Sequence, residues 1–277
     1  MRPTIPVTAS QAGPSAKALL LTMLGEFALP HGGSIWTSTI IEGLGLLGID
    51  ERNGRQAVAR LADSGVVRSE RDGRRTRWHL TESGHHLLAT GAKRIYGFGA
   101  EDDDWDGRWL VVSCSVPEND RHKRHRLRTR LEFLGFGFVG ASLAISPHTD
   151  RETQVSQVLG ELELLPGALV FRGEAGQAMP DHQLLGRAWD LDALANEYLG
   201  FIERFETPVP TDQPAAVATL IELVHAWRRF PFIDPEIPRP LLPADWPGHR
   251  GIACFQRQHN AWSTTSVNWF LDREALA

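Results

Sequence analysis

With 277 residues, 42% hydrophobic and 23% charged, the chain has the length for two or three cored domains and the composition of an ordinary globular protein. Its formal net charge of −5 hides an asymmetry: residues 1–97 carry 12 Lys/Arg against 8 Asp/Glu, the remainder 17 against 26. No run of about 18 apolar residues and no charged-then-apolar N-terminal segment is present, so neither a membrane span nor a signal peptide is expected.

Residues 1–14, with Pro3, Pro6, Gly13 and Pro14, read as a loose tail. A first packing helix is expected over 15–29, capped by Ser15 and closed by Pro30-His31-Gly32-Gly33. After Ile35-Trp36-Thr37-Ser38 comes a short helix ending near Leu47. A third runs from an Asp50 cap to Gly65, whose access to positive φ suits a helix end. At about 100° per residue, Gly54, Ala57, Val58 and Leu61 share one narrow stripe, and Arg52, Arg55, Gln56 and Ala59 take the opposite side. The small apolar stripe packs inward. That leaves an outward face on which arginine can fork onto guanine O6/N7 and glutamine onto adenine N6/N7.

Two strand-like runs, 66–70 and 76–80, flank the turn signal Asp72-Gly73, and the hairpin carries Arg68, Arg71, Arg74, Arg75 and Arg77. Alone, such a cluster is equally well read as a solvated charge run; directly after a recognition-type helix it reads as a phosphate clamp. Helix, turn, helix, basic hairpin is the order of a winged helix, which presents one helix to the major groove of DNA. Residues 15–96 are therefore expected to form the DNA-binding domain, with the helix at 85–95 as a connector. Its candidate DNA-binding residues are Thr37, Ser38, Arg52, Arg55, Gln56, Arg74, Arg75 and Arg77.

Gly97-Phe98-Gly99-Ala100 and the acidic run Glu101-Asp102-Asp103-Asp104 read as a linker and solvated boundary rather than a cation cage. A second domain is expected over 105–180, with a buried strand at 110–116, an arginine-rich helix at 121–134, a strand at 138–145 and a strand-like run at 168–171. This is the order of a small ferredoxin-like sandwich. The cluster Arg121, Lys123, Arg124, Arg126, Arg128 and Arg130 is open to three readings: a second DNA contact, an anion site, or a charged solvent face. Residues 185–277 read as a helical C-terminal domain, with amphipathic helices at 192–205 and 214–229 and a last one at 249–271. Between the last two, prolines from 235 to 247 forbid helix, while Leu241, Leu242 and Trp246 give an extended connection apolar anchors. Cys114 and Cys254, each in an apolar run, indicate neither a disulfide nor a CxxC metal site, and suit a reducing cytoplasm. Trp109, Trp189 and Trp227 read as core. The fold class expected is α+β multidomain: a winged helix, a ferredoxin-like domain and a helical domain.

Three groups of residues resemble the PaaX-like family of phenylacetic acid degradation repressors. The first is the stretch from Arg55 to Gly65 with Gly73-Arg74-Arg75, and the second Arg126-Leu127-Arg128, Leu131, Gly135-Phe136-Gly137 and Ser146-Pro147. The most specific is His225-Ala226-Trp227-Arg228-Arg229-Phe230-Pro231-Phe232, Asp234-Pro235-Glu236, Leu241-Leu242-Pro243 and Asp245-Trp246-Pro247-Gly248. The resemblance spans nearly the whole chain. It implies a cytoplasmic, homodimeric repressor of aromatic-acid catabolic genes on double-stranded operator DNA, released by an aryl-CoA thioester such as phenylacetyl-CoA. It further implies a central domain similar to Cas2 nucleases. Those hold a metal with an Asp near the end of the first strand, where this chain has Ser113-Cys114-Ser115-Val116, so no metal, cofactor or nuclease activity is expected. The hairpin departs from the commoner family pattern, with Arg77-Trp78-His79 where an aromatic followed by Arg is usual.

Coenzyme A phosphates call for arginine and an aryl group for apolar walls, which makes Arg124, Arg128, Arg228, Arg229 and Trp246 the candidate effector-binding residues. Two other functions stand beside this one: an architectural DNA binder without an effector, and an enzyme such as a metal-dependent nuclease. Against the enzyme, the sequence has no HExxH, GxSxG, P-loop or GxGxxG arrangement.

Overall fold

Ser15 accepts a hydrogen bond from the Ala18 backbone N–H and so opens α1 (Ala16–Met23). The computed structural model describes residues 14–99, 105–117, 120–207 and 209–277; the expected tail, Pro14 apart, and the acidic run at 101–104 lie outside the described residues. α1 continues into one wide turn (Leu24–Ala28), in which the Leu29 N–H reaches back to the Leu24 carbonyl. β1 (Ser34–Trp36) passes directly into α2 (Thr37–Gly45), and α3 (Glu51–Asp63) follows. Asp50 caps α3 by accepting the Asn53 N–H at 2.8 Å, and Gly65 leaves it at φ +72°.

β2 (Val67–Asp72) and β3 (Arg75–Leu80) form a hairpin whose two turn residues are Gly73 and Arg74, with Gly73 at φ +58°. Glycine at the first central position is what the twist of a two-residue hairpin demands. β1 joins β3, giving an antiparallel sheet ordered β1-β3-β2. α4 (Glu82–Gly97) starts so close to this sheet that a Cβ at Gly84 would run into the Val66 carbonyl.

The chain groups into two compact units, each drawn from separate stretches. The first holds the residues up to Tyr96 together with Thr207–Trp227 and Phe255–Ala277. It therefore includes α9 (Gln213–Trp227) and the greater part of α11 (Gly248–Leu276). Phe27 stacks on Phe270 at 5.6 Å and Trp227 on Phe255 at 4.8 Å, so the N-terminal helices share a core with the last ones. This differs from the single C-terminal domain expected over 185–277, whose helices divide between the units. The reason lies in α9: Ala216, Val217, Leu220, Ile221, Leu223, Val224 and Trp227 are all buried, a girdle too wide for one neighbour to cover.

The second unit, Gly97–Glu206 with Arg228–Cys254, is built on β4 (Trp109–Cys114), α5 (Arg121–Phe133), β5 (Gly137–Phe138), β6 (Leu143–Ser146), α6 (Glu152–Glu161) and β7 (Ala168–Gly173). The sheet order is β5-β6-β4-β7 with every neighbour antiparallel, the split βαβ order of a ferredoxin-like sandwich. Leu110 and Val112 of the sheet pack with Leu127 and Leu131 of α5 and Val155 and Leu159 of α6. The strand expected over 138–145 is instead a hairpin, because Gly140-Ala141-Ser142 turns the chain and the Val139 N–H meets the Leu143 carbonyl. α6 was not expected at all.

α7 (Asp181–Ala188) and α8 (Leu191–Phe205) follow, the latter burying Leu194, Tyr198, Phe201, Ile202 and Phe205. After the short α10 (Phe230–Ile233), the proline-rich connection is ordered: Ile237, Leu241 and Leu242 pack with Trp109, Ile145 and Leu185. Cys114 and Cys254 are buried free thiols.

Candidate functional site

On α3 the stripe Gly54, Ala57, Val58 and Leu61 is buried and Arg52, Arg55, Gln56 and Ala59 are exposed. Gly54 sits against Ile41 and Leu44 of α2, which lets the two helices approach closely. Arg55 pairs with Glu51 at 2.7 Å, and with both side chains above 60% exposed this is a weak tie that a phosphate or base can displace. The side chains of Arg52 and Gln56 make no hydrogen bond or ion pair among the described residues.

The hairpin's arginines differ from one another. Arg71 and Arg74 are exposed without an ion pair among the described residues, and Arg68 stands 4.0 Å from Glu70. Arg75 reaches the carbonyl of Ala277, near the end of α11. Arg77 is half-buried: its guanidinium lies over the Trp36 ring, 5.0 Å from the centroid, and 3.4 Å from Glu274. The Thr37 hydroxyl is likewise engaged inside the fold, donating to the Thr76 carbonyl and accepting from Trp78 Nε1, both at 2.9 Å. Both of these candidates therefore hold β3 beside the hairpin's turn, whereas Ser38 is exposed at the start of α2.

Glu274 was missed from the sequence, and nothing local marks it. Its Oε1 accepts the Trp36 N–H at 3.0 Å and the Thr39 hydroxyl at 2.8 Å, at a helix start that has no side-chain cap of its own. The sequence distance to Trp36 is 238 residues.

The five effector candidates do not converge. Arg124 donates to the Val116 and Pro117 carbonyls, Arg128 pairs with Glu132 at 2.8 Å and lies over the Phe138 ring, and Arg229 pairs with Glu197 at 3.0 Å. Burial pulls the Arg228 guanidinium below its ordinary pKa. Elsewhere on α5, Lys123 and Arg130 meet Glu163 and Glu161 at and just beyond the end of α6, so part of this helix's charge is paired with its neighbour.

Only Trp246 of the five lines the cleft of the second unit, a space of about 330 Å³ walled on its aromatic side by Phe98, Trp105, Tyr198 and Trp246. Four carboxylates, Asp106, Asp150, Asp234 and Glu236, border the same space, and no lysine or arginine is among its described lining residues. Asp234 accepts the Tyr198 hydroxyl at 2.5 Å and the Glu236 N–H at 2.7 Å. Burial pushes its carboxyl above the ordinary carboxylate range, and burial together with Asp234 pushes the Tyr198 phenol up as well. No group of three metal-ligating side chains occurs among the described residues, and no described helix is long and apolar enough to cross a membrane.

Comparison with known proteins matches three consecutive family models: PaaX-like protein over 15–84, PaaX protein central Cas2-like domain over 102–185, and PaaX-like protein C-terminal domain over 189–272. Rv0674, an uncharacterized protein from Mycobacterium tuberculosis, has a similar structure, with a TM-score of 0.64 over 91% of this chain and 97% of that one, at 20% identity. Transcriptional repressor PaaX of Escherichia coli (strain K12) is 30% identical over 246 residues, which is 85% of this chain and 76% of that protein. The chain thus belongs to the PaaX-like family, with a Cas2-like central domain.

Proposed function

We propose that this chain is a transcriptional repressor that binds operator DNA as a winged helix, with α3 in the major groove and the β2–β3 hairpin against the flanking phosphates. The observation that carries the reading is the exposed row Arg52, Arg55 and Gln56 on a helix whose opposite stripe is buried. Ser38, Arg74 and Arg75 extend the same contact, and Thr37 and Arg77 act by fixing β3 beside the hairpin's turn. The name of the Escherichia coli relative supports repression, and with it DNA as the partner and the cytoplasm as the place of action. A homodimer on a palindromic operator suits such a reader, because a two-fold axis then relates both the recognition helices and the half-sites.

Release by an aryl-CoA thioester such as phenylacetyl-CoA is what the family resemblance implies. Of the effector candidates only Trp246 lines the cleft, and Arg124, Arg128, Arg228 and Arg229 do not line that space. A regulator, not an enzyme, is our reading of the chain.

Fluorescence anisotropy on DNA from upstream of the gene tests it. Binding about 10³-fold tighter than to a scrambled duplex is expected, with the logarithm of affinity falling linearly as the logarithm of salt rises. Equal affinity for both duplexes, or no dependence on salt, would refute it.

A further inference from the structure

We propose that the cleft of the second unit binds an organic cation, a protonated amine carried on a small aromatic or apolar body, with Asp234 as its counter-charge. Size sets the scale first. At about 330 Å³ the cleft falls at the lower end of small-molecule sites and suits a compound of about one ring.

Charge then selects the ligand. Of the carboxylates on its lining, Glu236 is neutralised by Arg151 at 2.8 Å, whereas Asp234 makes hydrogen bonds to Tyr198 and Glu236 but no ion pair among the described residues. A carboxylate drawn out of water is stabilised in its charged form by donated hydrogen bonds, which Asp234 has from Tyr198 and Glu236, and further by a facing positive group, with which it has no ion pair among the described residues. Of the imidazoles on the lining, His249 acts on the Asp234 carboxylate favourably but as the smallest of the influences on it, and it forms no ion pair with it among the described residues. His148 points a ring nitrogen at the Pro235 carbonyl, 3.0 Å away, and burial lowers its pKa, while His249 is exposed. An ammonium group beside Asp234 would complete the pair, and the half-buried Trp105 and Trp246 on the same lining offer aromatic surface to the ligand's apolar body.

The backbone is built to present this carboxylate. Glu236 lies at φ +57°, a conformation that residues with a Cβ seldom adopt, and its partners hold it there: Arg151 grips the side chain and Asp234 the N–H. The same lining disfavours anions. The phosphates of a coenzyme A ester would meet no lysine or arginine inside the cleft. The proposal rests on the cleft alone and is independent of the DNA-binding reading.

Thermal shift and isothermal titration on the full chain at neutral pH test it, using phenethylamine, benzylamine, n-hexylamine, phenylacetate and phenylacetyl-CoA as probes. At least one ring-bearing amine should raise the melting temperature in a concentration-dependent way, above the effect of n-hexylamine, and phenylacetate should do nothing. Stabilisation by phenylacetate or phenylacetyl-CoA with none by the amines would overturn the proposal. Asp234→Asn should weaken the best amine by at least about tenfold, because it removes one partner of a desolvated charge pair; unchanged affinity in a folded variant sinks the idea. Should Asp234→Asn fail to fold, Leu242→Trp, which fills the cleft from its half-exposed wall, must abolish amine binding, and retained binding there counts equally against it.

Discussion

Two surfaces of this molecule use charge in opposite ways. On α3 and the hairpin, arginines stand in water, tied by pairs as loose as Arg55 to Glu51, and ready to exchange those partners for a polyanion. In the cleft, carboxylates gather around an aromatic-walled space, and one of them, the half-buried Asp234, has no ion-pair partner among the described residues. Exposed charges of one sign suit a large partner that brings counterions with it, whereas a buried charge in a small cleft suits a small partner that brings one. The asymmetry along the chain, net +4 over residues 1–97 and net −9 beyond, follows the same division.

The most damaging way to break the first surface is through its scaffold. Gly84→Val should lower the stability of the protein by about 3 kcal/mol or more in denaturant titration, since its Cβ would drive α4 off the Val66 carbonyl. A loss below about 1 kcal/mol would show that this approach is not tight. Next come the readers themselves: Arg55→Ala and Gln56→Ala should each lose about 1–3 kcal/mol of binding at particular base pairs. Arg74→Ala should instead weaken every sequence alike and reduce the salt slope by about one, and a base-specific effect there would reverse the assigned roles.

Glu274→Gln sharpens the comparison more gently. The amide keeps an acceptor for the Trp36 N–H but loses the charge that Arg77 and the Thr39 hydroxyl meet, so about 1–2 kcal/mol of stability should go. Smallest is the pH response of the cleft. The carboxyl of Asp234 is raised above 3.8 by burial, so the folded chain holds this proton to higher pH than the unfolded chain does. Its contribution to stability is therefore fully present below about pH 3.8 and is lost as pH rises through the folded value. Asparagine does not titrate, so the stability of the parent relative to Asp234→Asn should fall as pH rises above about 4; a rise instead would mean that the carboxyl is lowered.

What was legible from residues alone follows from locality. The buried stripe and exposed face of α3 are set by a period of 3.6 residues and a capping aspartate three residues from its N–H partner, and both are visible within one short stretch. The hairpin's turn was read from Asp72-Gly73, one residue off its actual centre, because the signal is the glycine and the strands decide where it sits. α6 escaped notice although Val155, Val158 and Leu159 carry helical spacing, since three apolar positions in ten residues are a faint signal.

By itself, then, the order of residues determined the periodic elements, their caps, the family motifs and the sign of charge in each half, all of which depend on neighbours a few positions apart. Tertiary structure alone decided which arginines stay available, how the C-terminal helices divide between two cores, and that Asp234 faces a cleft. Glu274 shows why: its partners Trp36 and Arg77 lie 238 and 197 residues away, and no local spacing records a contact whose geometry is fixed only when the chain has packed.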